Sequence, residues 1–317
     1  MKDGKPLVSV VCLCYNQERY VAEALESVAA QTYSGIELIV VDDGSSDGSK
    51  EAIAKVLASW ASNHMEISAF LDLQENLGNC KAFNQGLAAC RGKYVIDLAA
   101  DDVLDPSRIT QQVEQFEQLP DHFGVVYSDA EYIDETGRSM GVHRVEGPSE
   151  GDVYAEVVRR YFIPPPSMMM KRKVLQDLGG YDESLDYEDF DFWIRSARKW
   201  HYGYLPQPLT RIRKVKGSLS SKFFQRGSKL AASTHKVCTK IAKLNANEAE
   251  NKALVERVRY ERNQCVLLGN RQIAGDYEDL LRQLGAYSVR DAFVSFIARI
   301  PVNLTWLLRL RHWLRRD

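Results

Sequence analysis

An α/β fold is predicted for this chain: a mostly parallel sheet flanked by helices, with a C-terminal helical extension. Three observations predict it. Short, β-rich apolar runs, such as residues 8–14 and 38–41, alternate with stretches of helical period through the first 123 residues. Those runs lack the polar alternation of a half-solvated strand, which suits strands buried on both faces of a parallel sheet. Beyond Gly217 the pattern is helical, with no strand signal.

The elements follow in order. Val8-Ser9-Val10-Val11-Cys12-Leu13-Cys14 forms the first strand, and Asn16 is placed to cap a helix in which Val21, Leu25 and Val28 share a face. Gly35 separates that helix from the strand at 38–41, which runs into Asp42-Asp43-Gly44-Ser45-Ser46-Asp47-Gly48, a polar turn. Ile53, Leu57 and Trp60 mark the next helix, and residues 67–71 the next strand. Asn76-Leu77-Gly78 leads into a helix through Phe83, Leu87 and Cys90 that Gly92 ends. A strand beginning at 94–96 reaches a second acidic pair, Asp101-Asp102. Asp105-Pro106 then supplies a cap and a first-turn proline for a helix carrying Ile109, Val113 and Phe116. Ligands of open parallel sheets bind beyond the carboxyl ends of the strands, so both acidic pairs are expected on one rim. Adjacent like charges repel, and a bound cation, or a base and ribose to hold, gives such pairs a reason to exist.

The texture changes at Gly124. Val125-Val126-Tyr127 reads as a strand, residues 129–148 as hairpins and loops, and Pro164-Pro165-Pro166 as a rigid extended segment. A short helix is expected near 174–178. Asp186-Tyr187-Glu188-Asp189-Phe190-Asp191-Phe192-Trp193 opens another that reaches Lys199. Pro206 and Pro208 punctuate a return strand at 209–212. The expected division is a body of residues 1–216 and a basic helical region of residues 217–317. The latter has one stripe of Leu230, Val237, Ile241 and Leu244, and another of Leu254, Val258, Cys265 and Leu268.

The chain has 317 residues, 45% hydrophobic and 26% charged, as in globular proteins that live in water. Its net charge of −2 hides an asymmetry. Residues 1–216 carry 23 basic against 34 acidic side chains, −11, and residues 217–317 carry 18 against 9, +9. An acidic body gains from binding cations; a basic tail suits phosphates or an anionic membrane surface. Cys12, Cys14, Cys80, Cys90, Cys238 and Cys265 lack metal-ligand spacing and read as buried, reduced thiols. The N-terminus resembles no signal peptide, and no stretch approaches a membrane span, so a cytoplasmic location is expected.

The segments Val8-to-Asn16, Val40-to-Ser49, Asn76-Leu77-Gly78, Asn84-Gln85-Gly86 and Ala99-Ala100-Asp101-Asp102 form an ordered set. Across roughly residues 6–220 that set closely resembles the family 2 glycosyltransferases. The resemblance implies a GT-A, Rossmann-like fold with a nucleotide-binding half (about 1–123) and an acceptor-binding half (about 124–216). It implies an inverting, metal-dependent transfer from a UDP- or dTDP-sugar to an acceptor hydroxyl, serving surface polysaccharide or lipid-linked glycan synthesis. The cofactor would be Mn²⁺ or Mg²⁺.

The family pattern also implies roles for residues. Asp102 would hold the metal, and Asp101 the metal or ribose hydroxyls, because a departing diphosphate needs its charge neutralised. Asp43 would accept the N3–H of uracil or thymine, with Asp42 supporting the turn or the ribose. Cys14, Tyr15 and Asn16 would bind the nucleotide, with Cys14 and Tyr15 near the base. Asp189 matches the general base that takes the acceptor proton on the face opposite the leaving group. Glu188 and Asp191 are close alternatives that orient acceptor or base.

The chain departs from the family at three places. Ala99 stands where many relatives carry aspartate. Phe83 stands beside Asn84 where relatives often carry arginine, with Lys81 in reach of phosphate. Arg213, within Arg211-Ile212-Arg213-Lys214, stands where a histidine is common. Arginine can stabilise a leaving diphosphate but cannot bind a cation, so weaker metal affinity is expected. The six histidines form no cluster, and zinc is not expected.

Near the end, Phe293, Phe296, Ile297, Ile300, Leu304, Trp306, Leu307, Leu308, Leu310, Trp313 and Leu314 interleave with Arg299, Arg309, Arg311, Arg315 and Arg316. Trp, Leu and Arg so mixed suit helices packed on the body or across a homo-oligomer, or peripheral contact with the cytoplasmic face of a membrane. Nucleic acid is not an expected partner; a nucleotide-sugar donor and a glycan or lipid-linked acceptor are. The rival reading is a non-catalytic nucleotide-sugar-binding or scaffold protein on the same fold, with Ala99 marking a decayed site. A pyrophosphorylase or a dinucleotide dehydrogenase would need a glycine-rich loop after the first strand, and Cys12-Leu13-Cys14-Tyr15-Asn16 is not one.

Overall fold

The protein is described by a computed structural model covering residues 4–60, 66–147, 150–215 and 229–299. The chain divides into two compact units, residues 1–153 with 162–215, and residues 154–161 with 216–317.

In chain order the described elements begin β1 (Val8–Cys14), α1 (Val21–Ala29), β2 (Ile36–Asp42), α2 (Ser49–Ser59), β3 (Glu66–Asp72), α3 (Asn79–Ala89) and β4 (Tyr94–Ala99). Next come β5 (Val103–Leu104), α4 (Arg108–Gln118), β6 (Phe123–Ile133), β7 (Ser139–His143) and α5 (Tyr154–Arg159), which belongs to the second unit. A 3₁₀ turn (Pro165–Ser167), β8 (Met169–Lys171), α6 (Arg172–Leu178), α7 (Asp189–Ser196) and β9 (His201–Arg213) complete the sheet unit.

The sheet runs β3-β2-β1-β4-β8-β6-β9-β5, with β7 paired to β6. β1 lies parallel to both β2 and β4, and β2 parallel to β3. β8 is antiparallel to β4 and β6, while β9 returns parallel to β6. Strand order therefore reverses at β1, and the crevice beyond the carboxyl ends of β1, β2 and β4 is the ligand position such sheets offer. One sheet face, with Val10, Cys12, Leu38, Val40, Ile96 and Leu98, packs on α1, α2 and α4. The other meets α3, where Gly86 permits the approach: a Cβ there would sit 2.5 Å from Val11 Cγ1.

Several local expectations are corrected. Asn16 does not cap α1; it adopts φ 53° and α1 begins at Val21, because the Asn16 side chain is taken by the next loop. Asp105 accepts from Ser107 N at 2.9 Å, so the turn at 105–107 precedes a helix that starts at Arg108. Pro164 is extended, but residues 165–167 curl into the 3₁₀ turn. α7 stops at Ser196 rather than Lys199. β9 starts eight residues earlier than expected and absorbs its prolines: the register passes from Ser128↔Leu205 to Asp129↔Pro208, so Pro206 and Gln207 bulge out, exposed, where no ladder donor is required.

In the second unit, α5 is joined by α8 (Lys229–Leu244), α9 (Glu248–Leu267), α10 (Arg271–Gln283) and α11 (Val289–Arg299). Asn247 caps α9 by accepting from Glu250 N at 2.9 Å, while Glu250 reaches back to Ala246 N at 2.6 Å. Arg257 of α9 donates to Val158 O of α5 at 3.0 Å, and Asn245 accepts from Tyr154 Oη at 2.9 Å. Leu230, Val237, Ile241, Leu254, Val258 and Cys265 are buried as their spacing predicts, whereas Leu244 is exposed at the end of α8. All six cysteines are buried and free. The Trp- and Arg-rich stretch 300–317 lies outside the described residues. No helix among the described residues is long and apolar enough to cross a membrane.

Candidate active site

The loops after β1 and β2 are laced together at the sheet's carboxyl rim. Asn16 N donates to Ser45 Oγ at 2.9 Å, Gln17 N to Ser49 Oγ at 2.8 Å, and Asn16 Oδ1 accepts from Ser46 N at 2.8 Å. This lacing leaves the Tyr15 ring 48% exposed above the crevice. Alternation along β1 turns the neighbouring Cys14 thiol into the core, 1% exposed and pushed up to about 12 by burial. The Cys14 carbonyl accepts from Asp43 N at 2.8 Å.

Asp42, the last residue of β2, is buried and accepts from Ser45 N at 2.9 Å through Oδ1, while Oδ2 has no hydrogen-bond partner. Asp43 gathers the Asn76-Leu77-Gly78 turn. Its carboxylate accepts from Leu77 N at 2.7 Å, Gly78 N at 3.0 Å and Asn76 Nδ2 at 3.0 Å. Burial pushes it above its ordinary value; the Leu77 and Gly78 amides oppose the push and the Asp42 charge adds to it. Gly44, at φ 72°, makes the turn possible, since a Cβ would lie 2.5 Å from Glu75 C. Lys81 is exposed in the first turn of α3.

Asp101 and Asp102 follow β4. Asp102 is buried and accepts from Arg213 N at 2.9 Å. The Arg213 guanidinium is committed to this same corner. Nε donates to Asp101 O at 2.9 Å, Nη1 to Asp134 O at 3.2 Å and Nη2 to Glu23 at 2.5 Å, with the Tyr20 ring 4.7 Å from the guanidinium carbon. It is a strut that ties β9 to the acidic turn. Burial raises both carboxyls above the ordinary range. The Asp101 charge adds to the rise at Asp102, while Arg213 opposes it at Asp101 and Lys214 and Arg108 at Asp102. Two crowded acids with too little compensation form a donor set that fits a hard divalent cation. Among the described residues no group of three His, Cys, Asp or Glu side chains is placed to hold an ion. Two carboxylates fit Mg²⁺ or Mn²⁺ when phosphate oxygens and waters fill the rest of the shell.

The third acidic group gathers around the start of α7. Glu188 is hydrogen-bonded to Asn79, the first residue of α3. Asp189 lies beside it, and burial, then the Glu188 charge and a hydrogen bond to Glu188, hold Asp189 well above its ordinary value. Asp191 stands apart in role: it is buried and pairs with Arg195 at 2.6 Å, and Arg195 also donates to Leu178 O and Gly180 O, closing the end of α6. That pair anchors the helix whose first residue is Asp189.

Asp97 belongs to none of the sequence motifs. It sits within β4, partly exposed, and accepts from Tyr181 Oη at 3.2 Å. Burial lifts its carboxyl well above the ordinary range, and the charges of Glu188 and Asp102 lift it further. Asp97 therefore feels the charges of both neighbouring acidic groups, Asp102 after β4 and Glu188 at the start of α7. Its only signal was a single acid inside the apolar run Tyr94-Val95-Ile96-Asp97-Leu98. The Asn84-Gln85-Gly86 segment also acquires a purpose. Asn84 accepts from Tyr181 N at 2.9 Å and donates to Tyr181 O at 3.0 Å, and Phe83 stacks on the Tyr181 ring at 4.2 Å, so α3 holds the tyrosine that reaches Asp97.

The glycosyl transferase family 2 model matches residues 9–179. An uncharacterized glycosyltransferase of Methanocaldococcus jannaschii is 34% identical over 212 residues, which cover 66% of this chain and 71% of that protein. The match spans a smaller share of other glycosyltransferase relatives, 59%, 32% and 52% of three of them. In fold, the chain is similar to S. aureus TarS in complex with UDP-GlcNAc, with TM-score 0.67 and 18% identity over 91% of this chain and 89% of that one. It is also similar to the mannosyltransferase PcManGT from Pyrobaculum calidifontis in complex with GDP-Man and Mn²⁺, with TM-score 0.59 and 16% identity over 99% of this chain and 81% of that one. At such identities the two structures speak for the fold alone. The family match spans more than half of the chain and contains both rim pairs, and the sheet has the GT-A architecture; this chain belongs to glycosyl transferase family 2 and is a glycosyltransferase.

Proposed function

We propose that the protein moves a sugar, with inversion, from a UDP- or dTDP-sugar to a hydroxyl of a glycan or lipid-linked acceptor, in surface polysaccharide or lipid-linked glycan synthesis. The observation that carries the chemistry is the crowding of Asp97, Glu188 and Asp189: burial raises all three carboxyls, and the Glu188 charge raises Asp97 and Asp189 further. A carboxylate with raised proton affinity, at the mouth of a nucleotide crevice, suits a general base.

Asp189 takes the proton of the acceptor hydroxyl as its oxygen attacks the anomeric carbon. Glu188, fixed by Asn79, orients Asp189 and shares its proton. Tyr15 offers its exposed ring to the base, Asp43 meets the base N3–H through a remaining lone pair, and Asp42 supports the ribose side of the turn. Asn16 and the Cys14 backbone shape that loop, Lys81 extends toward phosphate, and Arg213 keeps the acidic turn in place. Asp101 and Asp102 would hold Mn²⁺ or Mg²⁺, which neutralises the departing diphosphate. Residues 124–216 supply the acceptor side.

The test is donor binding and turnover. Thermal-shift titration against UDP-, dTDP- and GDP-sugars should show the largest stabilisation with a uridine or thymidine donor, larger with Mn²⁺ present. Asp102→Asn should cut Mn²⁺-stimulated donor hydrolysis about 100-fold. Unchanged Mn²⁺-dependent turnover in that variant would remove the metal assignment.

A further inference from the structure

Helix α11 buries its polar side. Asp291, 2% exposed, accepts from Arg262 Nη1 at 2.9 Å, Arg259 Nη2 at 3.0 Å and Ser288 N at 2.9 Å. Ser295, also buried, donates to Asp291 O at 2.9 Å and meets Tyr287 Oη at 2.9 Å. The outward side carries Val289, Phe293 and Phe296, which are 88%, 63% and 63% exposed. At 3.6 residues per turn these three share an arc of about 60°, on the far side of the helix from Asp291 and Ser295. A surface helix ordinarily does the reverse. The ion pairs fix the orientation, because rotating the apolar stripe inward would strand Arg259 and Arg262 without their carboxylate. Two exposed phenylalanines on one stripe mark a surface that something covers.

The chemistry beside the stripe selects the cover. Arg290 is exposed on its flank, and a cleft of about 460 Å³ is lined by Arg259, Arg262 and Arg290 with Asp291 as the one acid. Residues 217–317 hold 18 basic against 9 acidic side chains. The chain runs on from α11 for 18 residues that include Trp306, Trp313 and five leucines among Arg309, Arg311, Arg315 and Arg316. Apolar anchors, aromatic residues and arginines in one stretch, without a spanning helix among the described residues, match an interface between water and anionic lipid.

We propose that α11 docks this glycosyltransferase on an anionic membrane surface, with Val289, Phe293 and Phe296 entering the interface and Arg290 meeting lipid phosphates. Docking goes beyond the transfer reaction and depends on neither the donor nor the metal named above.

The experiment is co-sedimentation of the full chain with vesicles of phosphatidylcholine alone or with roughly 30 mol% phosphatidylglycerol. Binding is expected to the anionic vesicles. Phe293→Ser with Phe296→Ser should lower the bound fraction about tenfold. Arg290→Glu should weaken binding and reduce its dependence on the anionic lipid. Both sites are exposed, so the UDP-induced thermal shift should equal that of the unaltered chain, which separates lost docking from a lost fold or donor site. A full chain that ignores anionic vesicles, or a double variant that pellets equally, overturns the proposal. So does light scattering that shows a dimer dissolved by the double variant, since the cover is then a second copy.

Discussion

The crowded acids of the sheet rim and the buried Asp291 of the helical unit stand in opposite surroundings. On the sheet rim, Asp97 and Asp189 are crowded by other carboxylates and held well above their ordinary proton affinity. In the helical unit, Asp291 is also desolvated, yet Ser288, Arg259 and Arg262 hold it far below. Both environments desolvate an acid; the charges that act on Asp97 and Asp189 are carboxylates, whereas those bonded to Asp291 are arginines. A carboxylate that is compensated within the fold is locked, and one that is not remains available to a proton, a metal or a substrate. The linkage signs differ accordingly. Asp291 contributes stability that is present above the ordinary carboxylate value and lost as pH falls through its depressed folded value. The raised acids favour the folded state when protonated, a contribution lost as pH rises through their folded values.

The contrast can be broken by three substitutions. Asp189→Asn should reduce transfer roughly 10²–10⁴-fold while leaving the UDP-induced thermal shift intact; full transfer in that variant would place the base elsewhere. Asp291→Asn should leave turnover per folded molecule unchanged but destabilise the helical unit by about 3 kcal/mol in denaturant melts, because two arginines lose their partner. A stable Asp291→Asn protein would mean the network does not set the orientation of α11. Asp97→Asn is the subtlest. Removing one charge should lower the proton affinity of Asp189, moving the acidic limb of the pH–rate profile down by about one unit. It should also stabilise the protein near neutral pH by about 1 kcal/mol. An unmoved limb would show that Asp97 does not tune the base.

How much of this was legible in sequence depends on locality. β1, β2 and β4 announce themselves because strands buried on two faces are apolar runs, and the rim positions of Asp42-Asp43 and Asp101-Asp102 follow from strand order. β5 did not, being two residues that exist only because Val103 and Leu104 pair with Arg211 and Thr210. The first half of β9 was hidden by Pro206 and Pro208, which are tolerated because the strand bulges there. Arg213 invited a ligand role, and only the fold brings Glu23, Asp101 and Asp134 to its guanidinium. Asp97 needed a tertiary partner too: an acid in a strand gains meaning once Tyr181 and Glu188 surround it.

The helix α5 has a consequence for how this protein is made. Its Tyr154 hydroxyl donates to Asn245, and the bond from Arg257 of α9 to Val158 spans 99 positions of sequence. On the ribosome, the whole sheet unit is synthesised before α9 exists. A nascent chain that has just completed β9 therefore carries a short helix whose partners Asn245 and Arg257 have not yet been made, open to chaperones or to neighbouring chains. Expression of residues 1–215 alone would freeze that state, so the catalytic unit is better produced with its helical companion attached.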